Sequence, residues 1–374
     1  MKFSAKLEKK RYTMQSQTNP NPSLPDDLIL SCVARVSRLY YPTLSLVSKS
    51  FRSLIASPEL YKTRSLLDRT ESCLYVCIKL NPFDEKPRWF TLCRKHNGTL
   101  KSSGYVLATV PIPHTPLESS SSSIVSVCSS IYNIGGYKLP SSSVSILDCT
   151  SNTWREGPSL RVKLMSCTAC VLDEKIYVSG RCKDGDSMTF QVFDTNTQTW
   201  DPLSVPCSET KHEFHYKIVS FDGKLHLVSY KGVDAYNSKE GRWDLVTPSI
   251  EHIKYLYDCY RKIGNVWYTV VKGDISTSIW WYHTEEREWR DLKGIVGLPK
   301  FPIDACLRMV DYGGKMAVLW DDYLPGRKKK MIWCAEIVLE RRGSLEIWGK
   351  VEWFAHVLTA PRQYEFVKVL AATV

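Results

Sequence analysis

The residues able to do chemistry are few, and their spacing does not bring them together. Among 13 cysteines in 374 residues, one pair has C-x-x-C spacing, Cys167 and Cys170, in a stretch that reads as a strand. Residues three apart on a strand point to opposite faces, so these thiols do not converge on a metal. No second C-x-x-C completes a zinc set. His212-Glu213-Phe214-His215 has the nearest thing to a metal spacing but lacks two further ligands, and it reads as exposed polar sequence. Asn97-Gly98-Thr99 is a glycosylation sequon that an unexported chain leaves idle. Asp321-Asp322 beside Tyr323 reads as a solvated pair. G-x-G-x-x-G, P-loop, G-x-S-x-G and H-E-x-x-H patterns are absent from the sequence. No catalytic residue, metal site or cofactor is expected.

Attention therefore moves to the elements and the surfaces they build. The length suggests two or three domains. Net charge is +11, and +4 of it falls in the first twelve residues, with a second basic cluster at Arg327-Lys328-Lys329-Lys330. A nucleic-acid binder concentrates its charge on one element with aromatics between, so none is expected as a partner. No apolar run approaches the ~18 residues of a membrane span, and no membrane is expected either. Met1–Tyr12 is basic and leads into Thr13-Met14-Gln15-Ser16-Gln17 rather than an apolar stretch, which argues against a secretory signal. Without export a disulfide framework is not expected. Cys73, Cys77, Cys128, Cys149, Cys306 and Cys334 sit among apolar neighbours and read as small buried hydrophobes. The expected location is the cytoplasm, the nucleus or both.

Three regions follow: a flexible basic tail over 1–20, a helical domain over 21–66, and a strand-rich domain over 73–374. In the helical part, Pro25 suits a first helical position, with Asp26 and Asp27 in the first turn. Leu28, Ile29, Cys32, Val33 and Val36 form one apolar stripe. Pro42 opens a second helix, in which Leu44, Val47, Phe51, Leu54 and Ile55 recur at three and four residues. Ser57, as N-cap, and Pro58 open a third. A unit of about 40 residues buries too little to stand alone without disulfide, metal or partner. Its stripes are expected to meet something else.

The segments Leu24-Pro25-Asp26-Asp27-Leu28 and Leu44 through Leu60 resemble an F-box, whose pattern runs L-P-x-D-L and then L-x-x-V-[SC]-K-x-[WF]-R-x-L-I-x-S-P. Phe51 stands where Trp is commonest, and Val36–Tyr40 lacks the usual Leu-Pro. The resemblance implies that Leu24, Pro25, Leu28, Ile29, Leu44, Val47, Ser48, Phe51 and Leu54 contact a Skp-family adaptor, and through it a cullin.

An internal repeat dominates the rest. Leu147–Trp154, Phe193–Trp200, Tyr236–Trp243 and Tyr282–Trp289 each read as a strand end, a polar turn and a Trp opening the next strand. The Trp spacings are 46, 43 and 46, and a fifth copy ends at Trp348, 59 residues on. Upstream lie hairpin signals at Asp173-Glu174, Asp222-Gly223, Gly264-Asn265 and Gly313-Gly314. Four short strands in ~50 residues make one blade of a β-propeller.

Ser130-Ile131-Tyr132-Asn133-Ile134-Gly135-Gly136 through Trp154 resembles a kelch repeat. Gly135 and Gly136 are expected to admit neighbouring backbone, and Trp154, Trp200, Trp243, Trp289 and Trp348 to fill space between blades, largely buried. With strands near Cys73–Ile78 and Trp89–Cys93 and a closing strand over Tyr364–Leu370, six blades are expected. The fold class is mainly β with a small α N-terminal domain. Ser119–Ser123 is expected as an exposed loop. Asp321–Lys330 is expected as an irregular loop of the last blade facing water, either merely solvated or steering an acidic target segment.

The two resemblances together imply a non-catalytic substrate-recruiting subunit of an SCF-type cullin–RING ubiquitin ligase, whose propeller binds an unidentified target. The alternatives are a propeller interaction module outside a ligase and a propeller-based enzyme.

Overall fold

The computed structural model describes residues 24–81, 87–95, 104–111, 123–136, 139–182, 188–203, 217–221, 223–228, 233–245, 261–273, 277–323, 326 and 328–374. The basic tail, His212–His215, the Asn97–Thr99 sequon and most of Ser119–Ser123 lie outside the described residues.

Among the described residues four short helices come first: α1 (Asp26–Ala34), α2 (Tyr41–Leu44), α3 (Lys49–Ile55) and α4 (Pro58–Leu66), with a 3-10 turn at Arg38–Tyr40. Two local readings change. Pro25 is extended (ψ 141°) and caps α1 from outside, so Asp26 takes the first helical position. The second helix expected across Leu44–Ile55 is broken in two. Ser48 adopts an extended conformation and its hydroxyl accepts the Phe51 N–H at 3.2 Å, starting α3 anew. A serine that satisfies an orphan N–H from outside the helix outweighs the apolar periodicity running through it. Ser57 caps α4 in the same way, accepting from the Leu60 N–H at 3.4 Å.

The strands form six four-stranded antiparallel sheets. The first holds β1 (Ser72–Lys79), β2 (Arg88–Arg94) and β3 (Tyr105–Val110). The second is β4 to β7: Ile124–Val127, Ser130–Ile134, Val144–Asp148 and Thr153–Glu156. The third is β8 to β11: Met165–Leu172, Lys175–Arg181, Met188–Asp194 and Thr199–Pro202. The fourth is β12 to β15: Lys217–Phe221, Lys224–Val228, Val233–Asn237 and Arg242–Leu245. The fifth is β16 to β19: Arg261–Ile263, Val266–Lys272, Thr277–His283 and Glu288–Asp291. The sixth is β20 to β23: Arg308–Tyr312, Lys315–Tyr323, Lys329–Arg342 and Glu346–Pro361.

The last strand, β24 (Glu365–Thr373), returns to pair antiparallel with β1 and supplies the first sheet's innermost strand. It touches both β20 and β4, which closes the ring. Closure leaves no inner edge to recruit another chain. The hydrophobic clusters fall mostly between consecutive sheets. Tyr75, Trp89, Ile131 and Leu147 join blades 1 and 2, Ile134, Leu164 and Val178 join 2 and 3, and Leu319, Ile332 and Phe366 join 6 and 1. The molecule is a six-bladed β-propeller with a small helical unit before it.

The repeat register is visible in the pairing. Leu147 faces Trp154, Phe193 faces Trp200, Tyr236 faces Trp243 and Tyr282 faces Trp289, each the second pair from its turn. The last three tryptophans meet that partner in tilted ring contacts at 4.9–5.2 Å between ring centres. Burial is less complete than the sequence suggests. Trp200 is buried, but Trp154, Trp243 and Trp289 are half-buried. They sit on the outermost strand, where neighbouring blades splay apart and one ring edge meets solvent.

Trp348 does not occupy the repeat position. In blade 6 the second pair is Arg341 with Ile347, and Ile347 is buried there. The turn before it holds three residues, Gly343–Leu345, where the other four copies hold four. One residue fewer flips every following side chain to the other face. Trp348 therefore lies against Gly294, beneath the Arg342 guanidinium at 4.6 Å.

The kelch-like glycines have a steric reason. Gly135 has φ +70°, and a Cβ there would stand 2.5 Å from the Cys167 sulfur of the next blade. A Cβ on Gly136 would stand 1.8 Å from the Leu139 carbonyl oxygen. Cys167 joins the cluster between blades 2 and 3, while Cys170 packs with that between 3 and 4, so the two thiols diverge. Cys77, Cys149 and Cys334 are buried and Cys73 and Cys306 half-buried, but Cys128 is exposed at the β4–β5 turn with φ 49°.

Asp321 corrects the expected water-facing loop. It lies within β21, is 2 % exposed, and accepts from the Cys306 N–H at 2.6 Å, Lys330 Nζ at 2.7 Å and the Tyr364 hydroxyl at 2.8 Å. Adjacent strand residues alternate faces, so Asp322 is exposed while Asp321 points inward. Lys328 and Lys329 remain exposed.

Candidate functional site

The helical unit has a core of its own, small and polar at its margin. Val33, Ala34, Tyr41 and Leu60 are buried, with Ile29, Leu44, Phe51, Leu54 and Ile55 packed half-buried around them. Arg64, on α4, is 1 % exposed. Its Nη1 donates to the carbonyls of Ala34 at 3.1 Å and Val36 at 2.7 Å and lies 2.9 Å from the Tyr41 hydroxyl. Carbonyls at the end of α1 have no intrahelical partner, and this guanidinium satisfies them. Its Nη2 stands 3.4 Å from the Glu71 carboxylate.

Four large apolar residues of this unit stand outside that core. Leu24 is 61 % exposed, Leu28 52 %, Leu46 75 % and Val47 64 %. Leu24 and Pro25 precede α1, Leu28 lies in its first turn, and Leu46 and Val47 fill the turn between α2 and α3. The nine residues singled out in the sequence thus separate by role. Leu24, Pro25, Leu28 and Val47 are exposed. Ile29, Leu44, Phe51 and Leu54 support them from the half-buried layer, and Ser48 caps α3. Leu46 was not among the nine, although it is the most exposed apolar residue in this turn. Its signal was a leucine off the periodic stripe. Several large apolar groups left in water on one small unit are what an interaction surface provides.

The unit is seated on one end of the propeller. Leu39 packs on the core between blades 6 and 1, and Tyr61 on that between blades 1 and 2. The Tyr61 hydroxyl lies 2.7 Å from the Thr150 carbonyl oxygen in the β6–β7 turn, and burial pushes it up to about 12. Arg94, at the end of β2, donates to the Tyr40 hydroxyl at 2.7 Å. Among the described residues no group of His, Cys, Asp and Glu is placed to hold a metal ion. None of the described helices is long and apolar enough to cross a membrane.

Comparison with known proteins agrees with both halves of this architecture. The F-box domain family matches residues 22–63, and the family described as FKB95, Kelch-repeats domain matches residues 89–358. The chain is 76 % identical over 360 residues to the F-box/kelch-repeat protein At5g38670 of Arabidopsis thaliana, covering 96 % of this chain and 100 % of that one. It is 55 % identical over 375 residues to F-box/kelch-repeat protein At5g51250 of the same plant, covering 94 % and 99 %. The putative F-box/kelch-repeat protein At5g38680 is 54 % identical over 376 residues, covering 97 % and 99 %. The chain thus matches its relatives over nearly their whole length, through the helical unit and the six-bladed ring alike, and it belongs to the F-box/kelch-repeat proteins.

Proposed function

We propose that this protein is the substrate-recruiting subunit of an SCF-type ubiquitin ligase, in the cytoplasm, the nucleus or both. The F-box unit, residues 21–66, holds a Skp-family adaptor and through it a cullin; the propeller, 73–374, holds the target. The observation that carries the reading is the exposure of Leu24, Leu28, Leu46 and Val47 on a unit that has its own small core. Such a surface has no folding role left to perform, and burying it against a partner is what makes it favourable.

The chain supplies no reacting group in this reading. Its contribution is effective concentration, keeping lysines of the target near the charged conjugating enzyme on the same assembly. Target recognition belongs to the propeller end away from the F-box. The turns that meet the F-box follow from blade geometry: β6–β7 and β20–β21 join first to second or third to fourth strands, and such turns emerge at one end. The opposite end carries the second-to-third strand loops and the connections between blades, which vary most freely on a rigid scaffold.

The test is co-purification of the full chain with a Skp-family adaptor. The double substitution Leu24→Ala with Pro25→Ala is expected to abolish capture and leave the propeller's unfolding transition in place. Undiminished capture by that variant, and by Leu46→Asp, overturns the assignment.

A further inference from the structure

We propose that Arg38 is a positioning residue that, with Glu71, locks the F-box onto the propeller in one orientation. The proposal rests on the adaptor reading above for its purpose, and on the geometry of the junction for its substance.

Directional polar bonds cross the junction beside the apolar contacts of Leu39 and Tyr61. Arg38 stands between the two units and reaches both sides. Its backbone N–H donates to Glu71 Oε2 at 2.9 Å, its Nη2 to the Thr150 carbonyl at 3.2 Å, and its Nη1 to the Cys73 sulfur at 3.5 Å. Its guanidinium lies 5.5 Å from the centre of the Tyr61 ring. Thr150 lies 112 residues away in sequence, in blade 2. Glu71 binds in both directions as well. Its Oε2 also takes the Ser37 hydroxyl at 3.1 Å, while its backbone pairs with Val374 through two bonds of 2.8 Å. The carboxylate that holds the F-box is therefore fixed next to the strand that closes the ring.

Behind these bonds a cleft of about 260 Å³ remains, bordered by Arg38, Leu39, Pro42, Ile55, Tyr61 and Asn152. An interface interrupted by such a gap is not continuous, and units joined within one chain rotate relative to one another by default unless their interface is large and hydrophobic. A planar guanidinium with donors at fixed angles limits orientation, whereas an ammonium limits distance alone. Arg38 meets that requirement here. Fixed orientation matters because effective concentration at the conjugating enzyme depends on the geometry between adaptor and target surfaces.

The experiment uses the full chain with Cys207→Ser and Cys259→Ser, and spin labels on Cys32 and Cys128. These are the two exposed cysteines among the described residues, one on α1 and one on blade 2. Pulsed dipolar spectroscopy then reads the distance between the two units. One narrow distribution is expected, and Arg38→Ala is expected to widen it about two-fold or more, as for domains with a weak interface. Adaptor capture and the propeller's unfolding midpoint should stay as in the parent, which separates positioning from a structural role. Arg38→Lys should fail to restore the narrow distribution. Glu71→Gln, which keeps an acceptor oxygen for Arg38 and Ser37, should stay narrow while Glu71→Ala widens. A parent distribution that is already broad, or an Arg38→Ala width equal to the parent's, overturns the proposal; if Arg38→Ala does not fold, the Glu71 pair decides it. A narrow parent that captures no adaptor overturns the function proposed above and leaves the clamp standing.

Discussion

The helical unit and the propeller manage apolar surface in opposite ways. The propeller closes on itself: β24 pairs with β1, and most clusters lie between two sheets. The helical unit buries Val33, Ala34, Tyr41 and Leu60, hands carbonyls at the C-terminal end of α1 to an arginine, and leaves Leu24, Leu28, Leu46 and Val47 in water. Ring closure gives every blade two neighbours, whereas four short helices have one supporting face. On the function proposed above, the propeller is the scaffold and the helical unit is the part completed by another molecule. The difference also makes the two parts respond differently to mutation and to pH.

The largest effect is expected in a blade seam. Trp89 is 1 % exposed and meets Trp154 edge-on at 5.5 Å. Trp89→Ala should cost ~3–5 kcal/mol by chemical denaturation, whereas half-buried Trp154→Ala should cost clearly less. Equal costs for the two would break the argument that the outer strand lies at a splayed rim.

Next comes the arginine of the helical unit. Arg64→Ala strips the partners from the Ala34 and Val36 carbonyls and from Tyr41. It should cost about 3 kcal/mol. The loss should be confined to the helical unit, visible as lost hydrogen-exchange protection in α1 and α4 with the blades unaffected. Loosened blades would mean that the two parts are one cooperative unit.

Alkali should reach the propeller before the helices. Burial raises Cys93 from 9.0 to about 11 and Cys149 and Cys167 from 9.0 to about 12, whereas Tyr61 rises from 10.0 to about 12. Each raised value favours the neutral form in the folded state. Its contribution is intact below the unfolded value and is lost as pH rises through the folded one. Propeller stability should therefore start to fall above pH 9, and the F-box seat on Thr150 should weaken between pH 10 and 12. Denaturation midpoints against pH, with exchange at α4 followed separately, check the order; simultaneous loss contradicts it.

The smallest effect on stability belongs to the exposed patch. Leu46→Ser and Val47→Ser should change folding free energy by less than about 0.5 kcal/mol, as for surface sites. Adaptor capture should fall nonetheless. A substantial loss of stability would turn these residues into core, and the contrast between the two regions would disappear.

Local pattern carried much of this molecule. The Asp/Gly turns and the spaced tryptophans are signals of period two and of turn chemistry, so blade number and ring closure were legible. Where a single residue changed the count, pattern failed. A turn one residue shorter put Ile347 where Trp348 was expected, and Ser48 cut one apparent helix into two. Asp321 was misread for a related reason: two adjacent acids look alike in sequence, yet on a strand one faces the protein and the other faces water.

By itself, the sequence determined that a short amphipathic helical segment precedes a repeated four-strand unit, since propensity, capping and periodicity act within a few residues. Tertiary structure decided which apolar residues remain outside and how the two parts are joined. Leu46 is exposed because nothing among the described residues covers its turn, and Arg38 meets Thr150 because the ring brings blade 2 beneath the F-box. Contacts across 112 residues leave no trace in local spacing. They form only when the sheet closes and its turns arrive together at one end.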